Sequence, residues 1–399
     1  MTSRERFVKA LAGGIPDRVP VAPDTSNYIP AKHTGLPFWD IYHYRKVPLW
    51  RAYLDVMDYY GGDAWVGSCC GVPTINKNSR VEWHHEISFP DPDRAVVRHR
   101  VRTPDGELTG QHTIFRYDPP SPNEKLMKDL ARDWPKYRWL LQPPTDLDRK
   151  AFDEIRDECH RRGHAFGLCV GYPGFQCFEG AIQGGVQTLT YALEDCPEIL
   201  DEWCDLVSEQ CVKSAQLGVE AGMEYLGLGG SGTITLASPS LAMRYAIPAI
   251  AKIAALADRA GIPTVLHSCG RSRVLVDLLV EHTRVTCINP LEIPPMGDVD
   301  LAEVKSKRGA QIALMGNLHT TQVMLQGTPD LVRQRSLEAM RNAGEGGGFI
   351  LSTGDQCPRD TPEENLFAMI ETAKRYGTYD AQGRLPLVEE ALGCACGTA

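Results

Sequence analysis

A histidine and a cysteine one residue apart, His267-Ser268-Cys269, are followed at once by Gly270. The apolar run before them, Thr264–His267, reads as a short buried strand. A His-x-Cys at a strand end directs both side chains into one space if the chain turns at Cys269, and Gly270 permits that turn. A second thiol, Cys357, lies in a distant loop, Ser352-Thr353-Gly354-Asp355-Gln356-Cys357-Pro358, after the apolar run 349–352. The separation rules out a local zinc finger. One imidazole and two thiolates form a donor set that suits Zn2+ and leaves a fourth position open for chemistry. The plain alternative is a buried histidine and two unrelated core cysteines.

Other polar groups follow strand-like runs in the same way. Glu292, in Asn289-Pro290-Leu291-Glu292, could ligate a metal or accept a proton, or cap a helix near residues 299–307. His319 could bond a substrate group, or simply start a helix. Asp355 could orient His267 or steer Cys357. We therefore take Glu292, His319 and Asp355 as candidate catalytic residues, and His267, Cys269 and Cys357 as candidate metal ligands. Glu224 reads as structural. Asp360 reads as a helix cap with Pro362 in the first turn. The glycines at 344–348 precede a strand, so they read as a turn and not as a phosphate loop. Cys69-Cys70 could line a mouth, and the pair Cys394 and Cys396 in the tail could bind metal adventitiously. Cys159, Cys169, Cys196, Cys204, Cys211 and Cys287 read as small hydrophobes.

These groups need a frame that brings strand ends together. Eight short runs, at 18–22, 64–68, 166–170, 224–228, 264–267, 285–289, 312–315 and 349–352, alternate with helical patterns such as 240–260 and 328–343. Alternation of this kind implies parallel strands joined by right-handed crossovers, and eight repeats close a (β/α)8 TIM barrel. The expected fold class is thus α/β, one barrel domain over 1–399. Its first forty residues form an N-terminal cap. Residues 72–119 read as a β-hairpin insertion after strand 2, lying over the barrel mouth, with Pro104-Asp105-Gly106 as a turn. The tail after Tyr379 is expected to be loosely attached.

Composition narrows the function. The chain has 399 residues, 43% hydrophobic and 23% charged, which suits a large globular core. A net charge of -9 argues against nucleic acid as a partner, since phosphate binding needs clustered cations. No run approaches the roughly 18 apolar residues of a membrane span, and the opening lacks a signal-peptide core. Thirteen cysteines without a secretion signal read as reduced thiols, so a cytoplasmic location is expected.

Several stretches carry a family likeness. SRERFVKALAGGIPDRVPV, SPSLAMRYAIPAIAKI, IPTVLHSCG, INPLE, MGNLHTTQVMLQGTP and CPRDTPEENLFAMIETAKRYG resemble the uroporphyrinogen decarboxylase superfamily. The H-x-C with a distant cysteine resembles its zinc-dependent corrinoid methyltransferase branch. That resemblance implies a barrel with zinc held by His267, Cys269 and Cys357. It implies methyl transfer between a small-molecule donor or acceptor (methyl ether, methanol or thiol) and a separate corrinoid protein. The sequence lacks a D-x-H-x-x-G cobalamin signature, so the corrinoid would come from that partner; His319 could then also contact it. Assembly as a homodimer is left open. The decarboxylase branch carries a glycine-arginine element and a short acidic loop; here the matching stretches read NYIPAKHTGLPFW and GGDAWVGSCCG, with Asp63 alone. The loop GLGGSGTITLASP lacks the aspartates often found there in relatives. A decarboxylase acting on another carboxylic acid, and a non-catalytic binding protein on the same fold, are the competing readings.

Overall fold

Short apolar runs bounded by turns become strands because burial on both faces favours β-branched and aliphatic side chains without alternation. A computed structural model describes residues 1–395. In chain order its strands are β1 (Thr74–Ile75), β2 (Glu82–Asp91), β3 (Arg94–Thr103), β4 (Gly106–Phe115), β5 (Ser121–Glu124), β6 (Asp146–Leu147), β7 (Gly167–Val170), β8 (Tyr225–Gly229), β9 (Thr264–His267), β10 (Cys287–Asn289), β11 (Ala313–Leu318) and β12 (Phe349–Thr353). Strands β7 to β12 form one parallel sheet in sequence order. Helices occupy the crossovers, as the alternation requires. The expected helix at 240–260 is two helices, Pro239–Tyr245 and Ile247–Arg259, bent by 55°. Pro248 falls at the break, where its missing N–H cannot continue the ladder.

The sheet has six strands where eight were expected. The first two runs make isolated bridges only: Val21 pairs with Leu351 and Trp65 with Ala165, both parallel, and Arg18 pairs antiparallel with Thr378. Proline and side-chain bonding explain the loss. Pro20 and Pro23 have no N–H to give. The Val21 N–H donates to the Asp63 carboxylate at 2.9 Å and not to a neighbouring carbonyl. The N–H groups of Trp65 and Gly67 donate to the hydroxyls of Tyr53 and Tyr225. The segments still link the two sheet edges, since Asp63 N donates to Val21 O and Leu351 N to Pro20 O. The arrangement is consistent with a TIM barrel whose ladder is continuous over six strands.

Helix α1 (Ser3–Leu11) is nucleated by a capping box between Thr2 and Glu5. Its Phe7, Ala10 and Leu11 pack into a cluster with Ala22, Trp65, Tyr225, Val265, Cys287, Ala313, Met315 and Ile350. Alternate residues of the parallel strands supply that cluster, so α1 plugs the N-terminal end and leaves the other end for chemistry. Arg6 and Arg18 fasten the plug: both pair with Asp63, at 2.9 and 3.1 Å, and Asp63 is almost wholly buried.

Strands β2 to β5 form a separate antiparallel sheet, running to Glu124, past the expected limit at 119. Strand β1 leaves it and pairs with β6. The base of this sheet is tied to the loop after β12, where Arg359 Nη1 donates to Tyr117 O at 3.0 Å and pairs with Asp118 at 2.8 Å. The tail is packed, contrary to expectation: Leu385 and Val388 are buried, and Tyr379 donates to Gly344 O at 2.9 Å. Apolar burial of Leu385 and Val388 explains the attachment. Cys396 lies outside the described residues. No single helix among the described residues is long and apolar enough to cross a membrane.

Removing a buried partner of an ion pair strands its mates, at a cost of about 3–5 kcal/mol. Asp63→Ala should therefore lower unfolding free energy by about that amount in urea titration, because Arg6 and Arg18 lose their shared carboxylate. A loss below about 1 kcal/mol would mean that the plug does not depend on this pair.

Candidate metal centre and active site

Parallel pairing of β9 with β10 sets His267 beside Asn289. The imidazole Nδ1 lies 2.6 Å from Asn289 Oδ1, and the same amide donates through Nδ2 to Met315 O at 3.3 Å. The second bond fixes which end of the amide faces the ring. Nδ1 therefore carries a proton, and Nε2 is the nitrogen left to gain or lose the second one. Nε2 sits 3.7 Å from Asp355 Oδ1.

The chain then turns, as Gly270 was expected to allow. Gly270 has φ +82°, and a Cβ there would stand 2.3 Å from Thr235 Oγ1. Its N–H donates to the Glu292 carboxylate. Ser268 holds the turn from behind: its N–H donates to Asn289 O at 2.8 Å, and its hydroxyl to Thr233 at 2.8 Å. Two sets of potential ligand atoms result, each within 4.8 Å of one another: Asp24, His267 and Asp355, and Cys269, Glu292 and Asp355. Asp355 belongs to both, and it takes a positive φ of 124°. Such a backbone in a non-glycine residue persists only where its surroundings hold it; here Thr353 donates to Asp355 O at 2.7 Å.

Cys357 is in neither set. Its thiol is buried, and its N–H donates to Asp24 O at 2.8 Å. Burial pushes that thiol up, and the charges of Asp24 and Asp355 add to the rise. Burial also raises Asp24 and Glu292, with His267 opposing in both cases. For His267 burial disfavours the imidazolium, but the Cys269 side chain, the Asp24 and Asp355 charges and Asn289 outweigh it and raise its pKa to about 9. The site is thus rich in negative charge, and a proton on His267 balances part of it. A cavity of about 350 Å³ opens beside these groups, lined by Asp24, Trp65, Gln176, Ser231, His267 and Gln356.

The structure therefore brings together His267, Cys269, Glu292 and Asp355, with Cys357 against Asp24. His319 lies elsewhere: its Nδ1 accepts from the N–H groups of Thr321 and Gln322, and it lines a different cavity with Asn317 and Arg335. The helix-start role accounts for those bonds. Asp360 pairs with Lys32 and Arg359 and caps nothing; the helix begins at Glu363 after Pro362. Glu224 accepts from Phe166 N and contacts His160, as a structural residue would. Asp24 and Asn289 were missed. Both obey the strand-end rule, but Asp24 follows a run broken by prolines, and Asn289 was taken as the last strand residue only.

The profile of the uroporphyrinogen decarboxylase (URO-D) family matches residues 175–376, half of the chain. The chain belongs to the uroporphyrinogen decarboxylase family. The matched region contains His267, Cys269, Glu292, Asp355 and Cys357, but not Asp24 or the antiparallel sheet. A uroporphyrinogen decarboxylase of Synechocystis sp. is 25% identical over 181 residues, 45% of this chain and 49% of that protein. One of Nostoc punctiforme is 38% identical over 76 residues, 19% of this chain and 21% of the relative. The chain thus spans half the length or less of these curated relatives. A solved methyltransferase from Methanosarcina mazei shares the fold at a TM-score of 0.63 and 18% identity, over 94% of this chain and 99% of that one.

If Asn289 sets the tautomer of His267, its removal should weaken metal binding without unfolding the chain. Groups that orient a metal-binding histidine are worth about 10- to 100-fold in affinity. Asn289→Ala should lose affinity for Zn2+ in that range, measured by chelator competition. An unchanged affinity would show that His267 needs no such support.

Proposed function

We propose that this chain is a zinc-dependent methyltransferase that works with a separate corrinoid protein. The observation that carries the reading is Asp355, which joins two groups of potential ligand atoms, one with His267 and Asp24 and one with Cys269 and Glu292, while Cys357 lies buried two residues along the same loop. The donor chemistry fits zinc: an imidazole whose other nitrogen is already bonded, the Cys269 thiol, and carboxylates within reach, with the buried Cys357 thiol as the further sulfur the proposal draws in. His267, Cys269 and Cys357 would hold the ion, with Glu292 or Asp355 as a fourth oxygen donor. When bound, zinc would stabilise a substrate thiolate at neutral pH or polarise an ether or alcohol oxygen.

The protein's own residues prepare that chemistry. Asn289 keeps the His267 ring in one tautomer and orientation. Asp355, held by Thr353, stands where it can accept a proton from a substrate or from His267. The cavity between Asp24, Trp65 and His267 gives a small donor or acceptor room beside the metal ligands. The chain supplies this small-molecule half; the methyl carrier belongs to the corrinoid partner. Methyl transfer needs donor, carbon and acceptor in line, which the open end of the sheet permits.

A decarboxylase reading is favoured by the names of the curated relatives. The placement of Asp63 speaks against it. That carboxylate is occupied by Arg6, Arg18 and Val21 N beside the plug, at the opposite end from His267.

Two outcomes test the proposal. Zinc must displace protons, because His267 has been raised to about 9 and burial holds the Cys357 thiol up. Affinity for zinc should therefore rise steadily between about pH 6 and about pH 9, and isothermal titration in buffers of different ionisation enthalpy should detect released protons. A pH-independent affinity would contradict this ligand set. In the activity assay, a reduced or methylated corrinoid protein is mixed with the zinc-loaded chain and methanol, methoxylated aromatics, thiols or tetrahydrofolate. The cobalt absorption spectrum should change with wild type, and Cys357→Ala should slow that change at least ~100-fold. Decarboxylation of an acid by the metal-free chain would promote the lyase reading instead.

A further inference from the structure

The antiparallel sheet carries a second group of metal-binding side chains that the barrel chemistry does not use. Along β2 to β4, alternate residues share a face. Register places Trp83 opposite Val101, His85 opposite His99 and Ile87 opposite Val97. On the next strand Leu108, Gly110, His112 and Ile114 lie opposite Val101, His99, Val97 and Ala95. Ala95, Val97, Val101, Leu108 and Ile114 are buried. This face is therefore an apolar one, interrupted at its centre by three histidines. The opposite face carries Glu82, His84, Glu86, Arg98, Arg100 and Arg102, as a solvated face should.

The three rings form a chain of contacts with His99 in the middle. His85 Nδ1 lies 2.7 Å from His99 Nδ1, and His99 Nε2 lies 2.5 Å from His112 Nδ1. The rings of His99 and His112 stack with centroids 4.6 Å apart, and the His43 ring stands 6.4 Å from that of His112. Each N···N contact needs a lone pair on one of its two rings, so neighbouring rings cannot both be imidazolium. Burial, and then the neighbouring imidazoles, lower His99 to about 4. Neutral imidazole is the form that binds transition metals. Nitrogens on a tetrahedral ion at 2.0–2.1 Å are about 3.3 Å apart; because His99 meets His85 through Nδ1 and His112 through Nε2, a shared cation would draw one nitrogen from each ring by side-chain rotation. A cavity of about 320 Å³, lined by Trp83, His99, His112, Glu124, Tyr137 and Cys177, adjoins it and has room for water ligands.

We infer that His85, His99 and His112, with His43 beside them, form a second metal site, selective for a zinc-class transition-metal dication. The donors are imidazoles on three adjacent strands and on the segment after residues 38–42. An all-nitrogen set of this kind excludes Ca2+ and Mg2+, which need oxygen donors. Occupancy would clip the His43 segment to the antiparallel sheet.

The test uses the full chain and Co2+ as probe, with Zn2+ as competitor. Cobalt held by Cys269 and Cys357 carries a thiolate-to-metal charge-transfer band, whereas cobalt held by imidazoles does not. Wild type should bind one more equivalent than the double variant His99→Gln, His112→Gln. The missing equivalent should lack the thiolate band, with affinity reduced at least 100-fold. His84→Gln, on the opposite face, should match wild type. Trp83, whose ring lies 5.9 Å from that of His85 and 6.1 Å from that of His99, should be quenched by the added cobalt in wild type, and Trp83→Phe should remove that quenching. Should the double variant fail to fold, His85→Gln, on an exposed edge strand, should alone weaken the site at least tenfold. Equal stoichiometry and affinity in wild type and every folded histidine variant would overturn the inference, leaving a hydrogen-bonded histidine chain. A thiolate band on the lost equivalent would do the same by assigning it to the barrel.

Discussion

His267 is placed by β9, turned by its bond to Asn289 and aimed at Asp355, and each of these steps depends on the register between β9 and β10. A slip of one residue in that pairing would move His267 to the other face of the sheet. The 2.6 Å contact between Nδ1 and Asn289 Oδ1 converts register into chemistry, because it decides which imidazole nitrogen is free. The backbone around it is correspondingly over-determined. Ser268, Thr233, Tyr172 and Gly270 all bond to the turn or pack against it, and Asp355 is held in a conformation that a non-glycine residue seldom adopts.

The same placement creates an electrostatic demand. Asp24, Asp355 and Glu292 sit close together, and all but Asp355 are buried. Carboxylates removed from water must be neutralised, protonated or paired. The demand falls on His267, whose pKa is raised to about 9, while burial raises Asp24 and Glu292. A dication would meet the same demand more fully and would release those protons. On the proposed function, metal uptake would be linked to proton loss.

Much of this was legible in the sequence because strand ends in a parallel sheet share one side. The runs before His267, Glu292 and Asp355 are aliphatic and bounded by turns, so their positions followed. Strand 1 was harder. Pro20 and Pro23 leave the run 18–22 one bridge to the parallel sheet, and Asp24 just after it was overlooked though it touches the site. His319 was placed by the same rule, yet its bonds to Thr321 and Gln322 turn it into a cap. The histidines of the antiparallel sheet were invisible for another reason. They lie 14 and 13 residues apart, and only the hairpin register brings them side by side.

The central claim is that the thiols of Cys269 and Cys357 share a metal with His267. X-ray absorption at the zinc edge, on a chain whose hairpin histidines are replaced by glutamine and which is loaded with one equivalent, reads this directly. The account predicts two sulfur neighbours at about 2.3 Å and nitrogen or oxygen neighbours at about 2.0–2.2 Å, with one sulfur lost in Cys357→Ala. A shell containing only nitrogen and oxygen, unchanged in that variant, would contradict it.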